Sequence, residues 1–396
     1  MIKGFCKFRT LPICISVIGF ILTDHSIAQP DLSMPLDPTH CFSPTIKPAE
    51  PINIYSATTS DCLSPSVSKA LSRVYVPNHA SNSVTVIDPT TLKVVSNFKV
   101  GLGPQHIIPS WDLKTLWVAN NANRTRLGSM TPIDPLTSLP GKKLYVSDPY
   151  NMYFMPDGSA AIIVDEAYKQ LDFRDPQTMK IQSVLHVPDC HGINHADFSA
   201  DSSYAIFTCE FRGGNLAKID LLNKKVLGML KLSKVGMPQD IRLSADGKIF
   251  YVADMINDGV FLIDSETFTE AGFIATGIGA HGLTVSRDGK KIYVSNRGSH
   301  NMWRGGKELG SVTVIDFATR KIEAQWTIPG GGSPDMGNVS ADGKQLWLAG
   351  RFHNVVYMFD TTSGAVVKIP VGGEPHGLTV WPQPGRYSQG HTGNMR

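Results

Sequence analysis

The 396-residue sequence predicts an all-β chain, a seven-bladed β-propeller with four-stranded blades. Two recurring markers carry that expectation. A Ser-x-Asp-like turn falls at Asp112, Asp157, Asp201, Asp246, Asp288 and Asp342, at spacings of 45, 44, 45, 42 and 54 residues. An Ile-Asp-type marker falls at Asp88, Asp134, Asp175, Asp220, Asp264, Asp316 and Asp360, at spacings of 46, 41, 45, 44, 52 and 44 residues. Two independent markers with one period in the low-to-mid forties point to a radial array of small sheets. The segments between them are rich in Val, Ile, Tyr and Thr and are punctuated by Gly, Asp, Asn and Pro, as short strands and turns require.

One unit shows the strands in order. His281-Gly-Leu-Thr-Val-Ser286 reads as the first strand and Arg287-Asp-Gly289 as its turn. Lys291-Ile-Tyr-Val-Ser-Asn296, Ser311-Val-Thr-Val-Ile-Asp316 and Lys321-Ile-Glu-Ala-Gln-Trp-Thr327 read as the second, third and fourth. Seven Ile-Asp-type markers imply seven blades. The first unit begins at its second strand, residues 73–77, and Gly377-Leu-Thr-Val-Trp381 supplies a lone first strand at the other end. Pairing the C-terminal strand with the first repeat would close the ring and remove its open edges.

At 42% hydrophobic and 18% charged residues the composition is globular. A net charge of +3 with no dense Lys/Arg run argues against nucleic acid as a partner. At the amino terminus Lys3, Lys7 and Arg9 precede an apolar run over residues 11–22, then Ser26-Ile27-Ala28. This is the pattern of a Sec-type signal peptide, with cleavage expected after Ala28 and a periplasmic or secreted product. Cleavage leaves 368 residues with a formal charge of +1 and no other segment able to cross a membrane. A monomer is expected.

Cys6 and Cys14 leave with the leader, so Cys41, Cys62, Cys190 and Cys209 remain. In an exported chain this even count suggests disulfides. Neighbour pairing, Cys41–Cys62 and Cys190–Cys209, is the simplest of three connectivities. Residues 29–71, rich in Pro, Ser and Thr, lack the repeat and read as an extended arm over the propeller at 72–382. Residues 383–396 read as a polar tail. Residues 121–143 lengthen the second unit. Residues 297–310 lengthen the sixth and contain His300, Trp303 and Arg304.

Tyr75-Val-Pro-Asn78, Tyr293-Val-Ser-Asn296 and Pro375-His-Gly-Leu-Thr-Val380 resemble the YVTN-repeat, YncE-like propellers of exported bacterial proteins, over about residues 72–382. The resemblance implies the fold. For function it implies only a range that includes lactonases, lyases, quinoprotein dehydrogenase subunits and metal-binding proteins.

Aligning the units on the Ser-x-Asp turn brings seven pairs to the top of the central channel. They are Gln105-His106, Tyr150-Asn151, Asn194-His195, Gln239-Asp240, His281-Gly282, Asp335-Met336 and His376-Gly377. His106, His195, His281 and His376, with Asp240 and Asp335, form a candidate transition-metal site for copper, zinc or iron. His191, in Cys190-His-Gly-Ile-Asn-His195, could join it. The competing reading has these histidines bonding water or one another.

The ends of the second strands, Asn78, Asn120, Asp165, Cys209, Asp254, Asn296 and Gly350, form a shell on the same face. Just beyond stand His79, Asn121, Glu166, Glu210, Met255, Arg297 and Arg351, then Arg212 and His353. Arg297, Arg351, Glu210, His353, Asp254 and Asn296 are the candidate ligand-binding residues. The two arginines suit a carboxylate or phosphate above the histidines. Asn or Asp at a strand end also has a structural use in capping the turn.

The sequence has no Gly-x-Ser-x-Gly, P-loop, dinucleotide or His-Glu-x-x-His motif, and no Cys-x-x-Cys-His haem motif. No catalytic residue is therefore assigned by motif. Three readings follow. The first is a propeller binding a ligand, metal or partner protein at its top-face axial funnel. The second is a metal-dependent, oxidoreductase-like protein using the axial histidines. The third is a lactonase- or lyase-like enzyme with a top-face His as general base.

Overall fold

Each repeat marker has a direct structural cause. In the Ser-x-Asp turn, Ser110 Oγ donates to Asp112 Oδ1 at 2.7 Å, and that oxygen accepts from Lys114 N. Thr115 N in turn donates to Ser110 Oγ. The same pattern recurs at Ser199/Asp201, Ser244/Asp246, Ser286/Asp288 and Ser340/Asp342. The Ile-Asp aspartates cap the next turn: Asp88 Oδ1 accepts from Thr90 N and Thr91 N, and Asp264 and Asp360 do the same four and six units further along the ring. These are side-chain mimics of backbone turns, which is why Asp and Ser recur there.

The computed structural model describes residues 53–302, 304–305 and 309–384. The expected leader at 1–28, Cys41, Trp303, the first part of the arm and most of the tail lie outside the described residues. The strands build seven antiparallel sheets, the blades of a propeller. The inner strands are Thr379–Trp381, Pro104–Pro109, Pro149–Phe154, Ile193–Phe198, Pro238–Leu243, Ala280–Val285 and Pro334–Val339. The ring closes as the repeat count requires. Thr379–Trp381 pairs antiparallel with Arg73–Asn78, in the register Arg73↔Trp381, Val74↔Val380 and Tyr75↔Thr379.

Blade 2 departs from four regular strands. Its outer position is split between Leu139–Pro140 and Leu144–Tyr145, both paired with Ser129–Asp134. Pro132 and Pro140 lack N–H donors, so a continuous outer ladder is unavailable there. Gly141 N reaches Pro132 O instead.

Between blades lie apolar clusters. Tyr153, Phe173, Phe198 and Phe207 fill one, and Trp347, Val74, Leu378 and Val380 fill another. Polar side chains stitch neighbouring inner strands. Asp197 Oδ2 accepts from Leu243 N, Asp240 Oδ2 from Leu283 N and Asn338 Oδ1 from Val380 N. The described part of the arm runs along the Ser-x-Asp end. Ile54 N donates to Ala245 O, Tyr55 is fully buried, and Leu63 bridges Pro384. The funnel described below is at the opposite end.

Trp381 is 1% exposed and anchors the closing strand. Trp381→Ala should lower the unfolding free energy by about 3–5 kcal/mol in urea titration. Val95→Ala, on an outer strand and 50% exposed, should change it by no more than about 0.5 kcal/mol.

Candidate functional site

At the top of its inner strand, every blade slips in register at the residues that the repeat alignment brings to the axis. The ladder with the second strand jumps from Pro104 to His106, from Ile193 to Ala196, from Pro238 to Ile241, from Ala280 to Gly282 and from Pro334 to Gly337. In blade 3 it passes over Tyr150, and in blade 1 Asn78 pairs with Pro375, one residue off the register of Tyr75↔Thr379. Such bulges release side chains from strict alternation and re-aim them.

Two rings of side chains wall the resulting funnel, a cavity of ≈ 180 Å³. The inner strands contribute Gln105, Tyr150, Gln239, His281 and His376. The residues just after the second strands contribute His79, Asn121, Glu166, Arg297 and Arg351. Asn123, Arg124 and Met302 complete the lining.

The four predicted histidines do gather. Ring centroids are 5.0 Å apart for His106–His195, 4.8 Å for His106–His376 and 5.9 Å for His281–His376. A directed chain of long hydrogen bonds links two of them across the axis. Asn151 Nδ2 donates to His195 Nδ1 at 3.3 Å, so His195 carries its proton on Nε2. That Nε2–H faces the Tyr150 hydroxyl at 3.4 Å, and the hydroxyl faces His376 Nε2 at 3.4 Å. His376 Nδ1–H donates to Asp335 Oδ2 at 3.0 Å.

Asp335 is the hub of the basic side. Arg297 Nη2 donates to Oδ2 at 2.8 Å, and His281 Nδ1 lies 2.8 Å from Oδ1, off the ideal hydrogen-bonding direction. Burial would raise the Asp335 carboxyl, but Arg297, His281 and His376 outweigh it and hold it well below the usual range. Burial, reinforced by Arg297, pushes His281 down to about 4. Burial, against the pull of Asp335 and with Arg351 and Arg297 adding to it, takes His376 well below its ordinary value. At neutral pH both imidazoles are uncharged and Arg297 is the counter-ion of Asp335. His281 and His376 are therefore neutral imidazoles over the whole physiological range.

The opposite wall is acidic. Arg124 donates from Nη2 to Glu166 Oε1 at 2.6 Å and Glu210 Oε1 at 3.1 Å, and from Nε to Glu166 Oε2 at 3.1 Å. Burial and the Glu166 carboxylate push Glu210 well above its usual range. Burial, followed by Glu210 and Glu166, keeps the Tyr150 phenol protonated. Arg124 escaped the repeat alignment because it lies in the stretched second unit. It follows Ala122 and Asn123 in a run of three left-handed residues, φ 50°, 55° and 66°. Non-glycine residues rarely adopt this conformation, and such strain collects at functional sites. The signal in the sequence is the Asn121-Ala-Asn-Arg124 run straight after a strand.

Other predicted residues have structural partners. Asp254 accepts from Met237 N, Ile256 N and Asn257 N, capping its turn. Asn296 donates to Ser311 Oγ and Thr313 Oγ1. His353 pairs with Ser333 Oγ at 2.8 Å and does not line the funnel. Asp240 lies 3.2 Å from the fully buried Arg242. Glu210 stands behind Arg124 and Gln239 Nε2. Arg297 and Arg351 alone of the six ligand candidates face the cavity.

The facing nitrogens of His195 and His376 are engaged with Asn151, Tyr150 and Asp335, and among the described residues no three His, Cys, Asp or Glu groups converge on one point. Cys190 and Cys209 form the expected disulfide, which joins the loop entering blade 4 to the end of its second strand. They are therefore not thiolate ligands. Cys62 is buried and disulfide-bonded, while Cys41, its expected partner, lies outside the described residues.

His281 takes up a proton near pH 6.5 when unfolded and only near pH 4 when folded. The unfolded state thus binds more protons in this window, and stability falls as pH drops through it. The loss attributable to His281 should reach about 3 kcal/mol. Urea titrations at neutral and acid pH should show the decline, and His281→Gln should flatten it.

A family model for YNCE-like β-propellers matches residues 43–384. Antigen Lp49 of Leptospira interrogans serogroup Icterohaemorrhagiae serovar copenhageni is 26% identical over 190 residues, 41% of this chain and 38% of the relative. The chain thus spans about two fifths of the curated relative that it matches. Among solved structures, Kuenenia stuttgartiensis hydrazine synthase aligns at TM-score 0.60 and 20% identity, covering 72% of this chain and 93% of that one. Dihydro-heme d1 dehydrogenase NirN in complex with DHE aligns at TM-score 0.56 and 17% identity, covering 78% and 75%. At these identities the two structures share the fold alone. With the family model covering the whole ring of blades, the chain belongs to the YNCE-like β-propeller family.

Proposed function

We propose that this is an exported propeller whose top-face funnel binds a small organic anion. One observation carries the reading. Arg351 is 5% exposed and lines the cavity, yet its guanidinium makes no ion pair or hydrogen bond with any described residue. A buried, permanently charged group without a partner is costly. An anionic ligand supplies the missing partner, through the paired donors that suit a carboxylate. Arg297 and Arg124, by contrast, already have carboxylates. The cavity of ≈ 180 Å³ is close to one that holds a benzene-sized molecule, which favours a small ligand over a protein segment. Export is supported by the leader pattern and by the Cys190–Cys209 disulfide, which suits an oxidising compartment. Among the described residues no helix is long and apolar enough to cross a membrane.

Calorimetry with a panel of small carboxylates tests the reading. Arg351→Gln should weaken the best binder by about 10- to 100-fold, the value of a charged hydrogen-bonded contact. The same variant should leave the unfolding free energy unchanged or raise it, because it removes an uncompensated charge. Arg297→Met should instead destabilise by about 3–5 kcal/mol, because it strands Asp335. Binding that survives Arg351→Gln unchanged would remove this reading.

A further inference from the structure

The funnel holds more than an anion anchor. His281 and Tyr150 both line it, on either side of His376. His281 presents Nδ1 to Asp335, and its Nε2 has no hydrogen-bond partner among the described residues. That leaves a lone pair aimed away from the carboxylate, the arrangement of a positioned base. Tyr150 holds its hydroxyl between two histidine nitrogens at 3.4 Å each, distances at the weak limit of hydrogen bonding. A ligand oxygen at normal distance would win that proton contact. An acceptor, a donor and an anion anchor thus surround one cavity of ≈ 180 Å³.

Resting on the anion reading above, we propose that the funnel takes a small 2-oxo carboxylate and moves a proton on and off the carbon next to its ketone. Arg351 holds the carboxylate. His281 Nε2 takes the proton from that carbon. The C–H electron pair becomes the new C=C bond, the C=O π pair moves onto oxygen, and the Tyr150 hydroxyl protonates that oxygen. The product is the enol, with imidazolium on His281 and phenolate on Tyr150, so charge and atoms balance and nothing is oxidised. The reverse step returns a proton to carbon. A ketone is required because a carboxylate alone leaves its neighbouring C–H too weakly acidic for a neutral imidazole. Asp335 and Arg297 are positioning residues: they fix the tautomer and orientation of His281 and His376 without touching the ligand.

Proton NMR in D₂O with pyruvate and 2-oxobutyrate tests this on the full chain, with affinity measured separately by calorimetry. The protein should speed the loss of the C3 proton signals well above the buffer rate. His281→Gln should reduce that exchange by about 100-fold or more, the usual contribution of a general base, with a much smaller change in Kd. Tyr150→Phe, which keeps the ring packing, is the second variant and should also slow exchange more than it weakens binding. Arg351→Gln should lose both. Binding of either acid without exchange above buffer overturns the proton-transfer proposal and leaves the anion reading standing. Exchange that persists in both His281→Gln and Tyr150→Phe also overturns it. Failure of the wild-type protein to bind either acid overturns it as well, and failure across the whole carboxylate panel overturns the anion reading too.

Discussion

In a regular antiparallel ladder successive side chains face opposite sides of the sheet, so an inner strand presents only alternate residues on any one side. Here the ladder slips at the top of each inner strand. The slip frees one residue from that alternation in blades 2, 3 and 6, and two adjacent residues in blades 4, 5 and 7. It also coincides with the point where seven strands converge. Ring closure through Arg73↔Trp381, Val74↔Val380 and Tyr75↔Thr379 makes the convergence possible, because it puts His376 and Gly377 into the same ring as residues from the other six blades. Gly337 shows how tight the packing is: a Cβ there would collide with the Trp347 carbonyl oxygen.

The chemistry of the funnel follows from what each charge already has. Glu166 and Glu210 hold Arg124, and Asp335 holds Arg297. Burial holds His281 and His376 uncharged. Among the described residues, those pairings compensate every cation in the lining except Arg351. The low dielectric that drives the imidazoles neutral also strengthens the field of that one guanidinium on an incoming anion. The same burial keeps Tyr150 protonated. One physical cause, burial at the axis, therefore accounts for the neutral imidazoles and the protonated phenol together.

The fold was legible because its markers are local. Asp112 and Asp88 each organise a turn within a few residues, and the chain repeats them often enough to count blades. The ring of axial residues was legible for the same reason, since alignment on a turn carries the register into the next strand. Pairing of Cys190 with Cys209 followed from their places at the two ends of one hairpin. What the alignment could not rank was use. Asn296 and Arg297 are sequence neighbours in the same shell, but one is taken up by Ser311 and Thr313 while the other faces the cavity. Only side-chain geometry separates them. Arg124 escaped the alignment because its position depends on a strained turn outside the repeat.

A repeat scaffold also explains how such a site can persist without threatening the fold. The apolar clusters between blades and the bonds from Asp197, Asp240 and Asn338 to neighbouring backbones hold adjacent blades together along the inner strands. Stability in such arrays is largely a sum of neighbour interfaces, so an unfavourable group at one ring position is tolerated. Among the described residues, Arg351 is a buried cation with no ion-pair partner and His281 Nε2 has no hydrogen-bond partner, while Arg124 and Arg297 are paired with carboxylates. Unsatisfied groups in an otherwise consistent structure mark the places where function has overridden packing. By that standard the wall formed by blades 6, 7 and 1, carrying His281, Arg351 and His376, is the part of the funnel on which the proposed anion site rests.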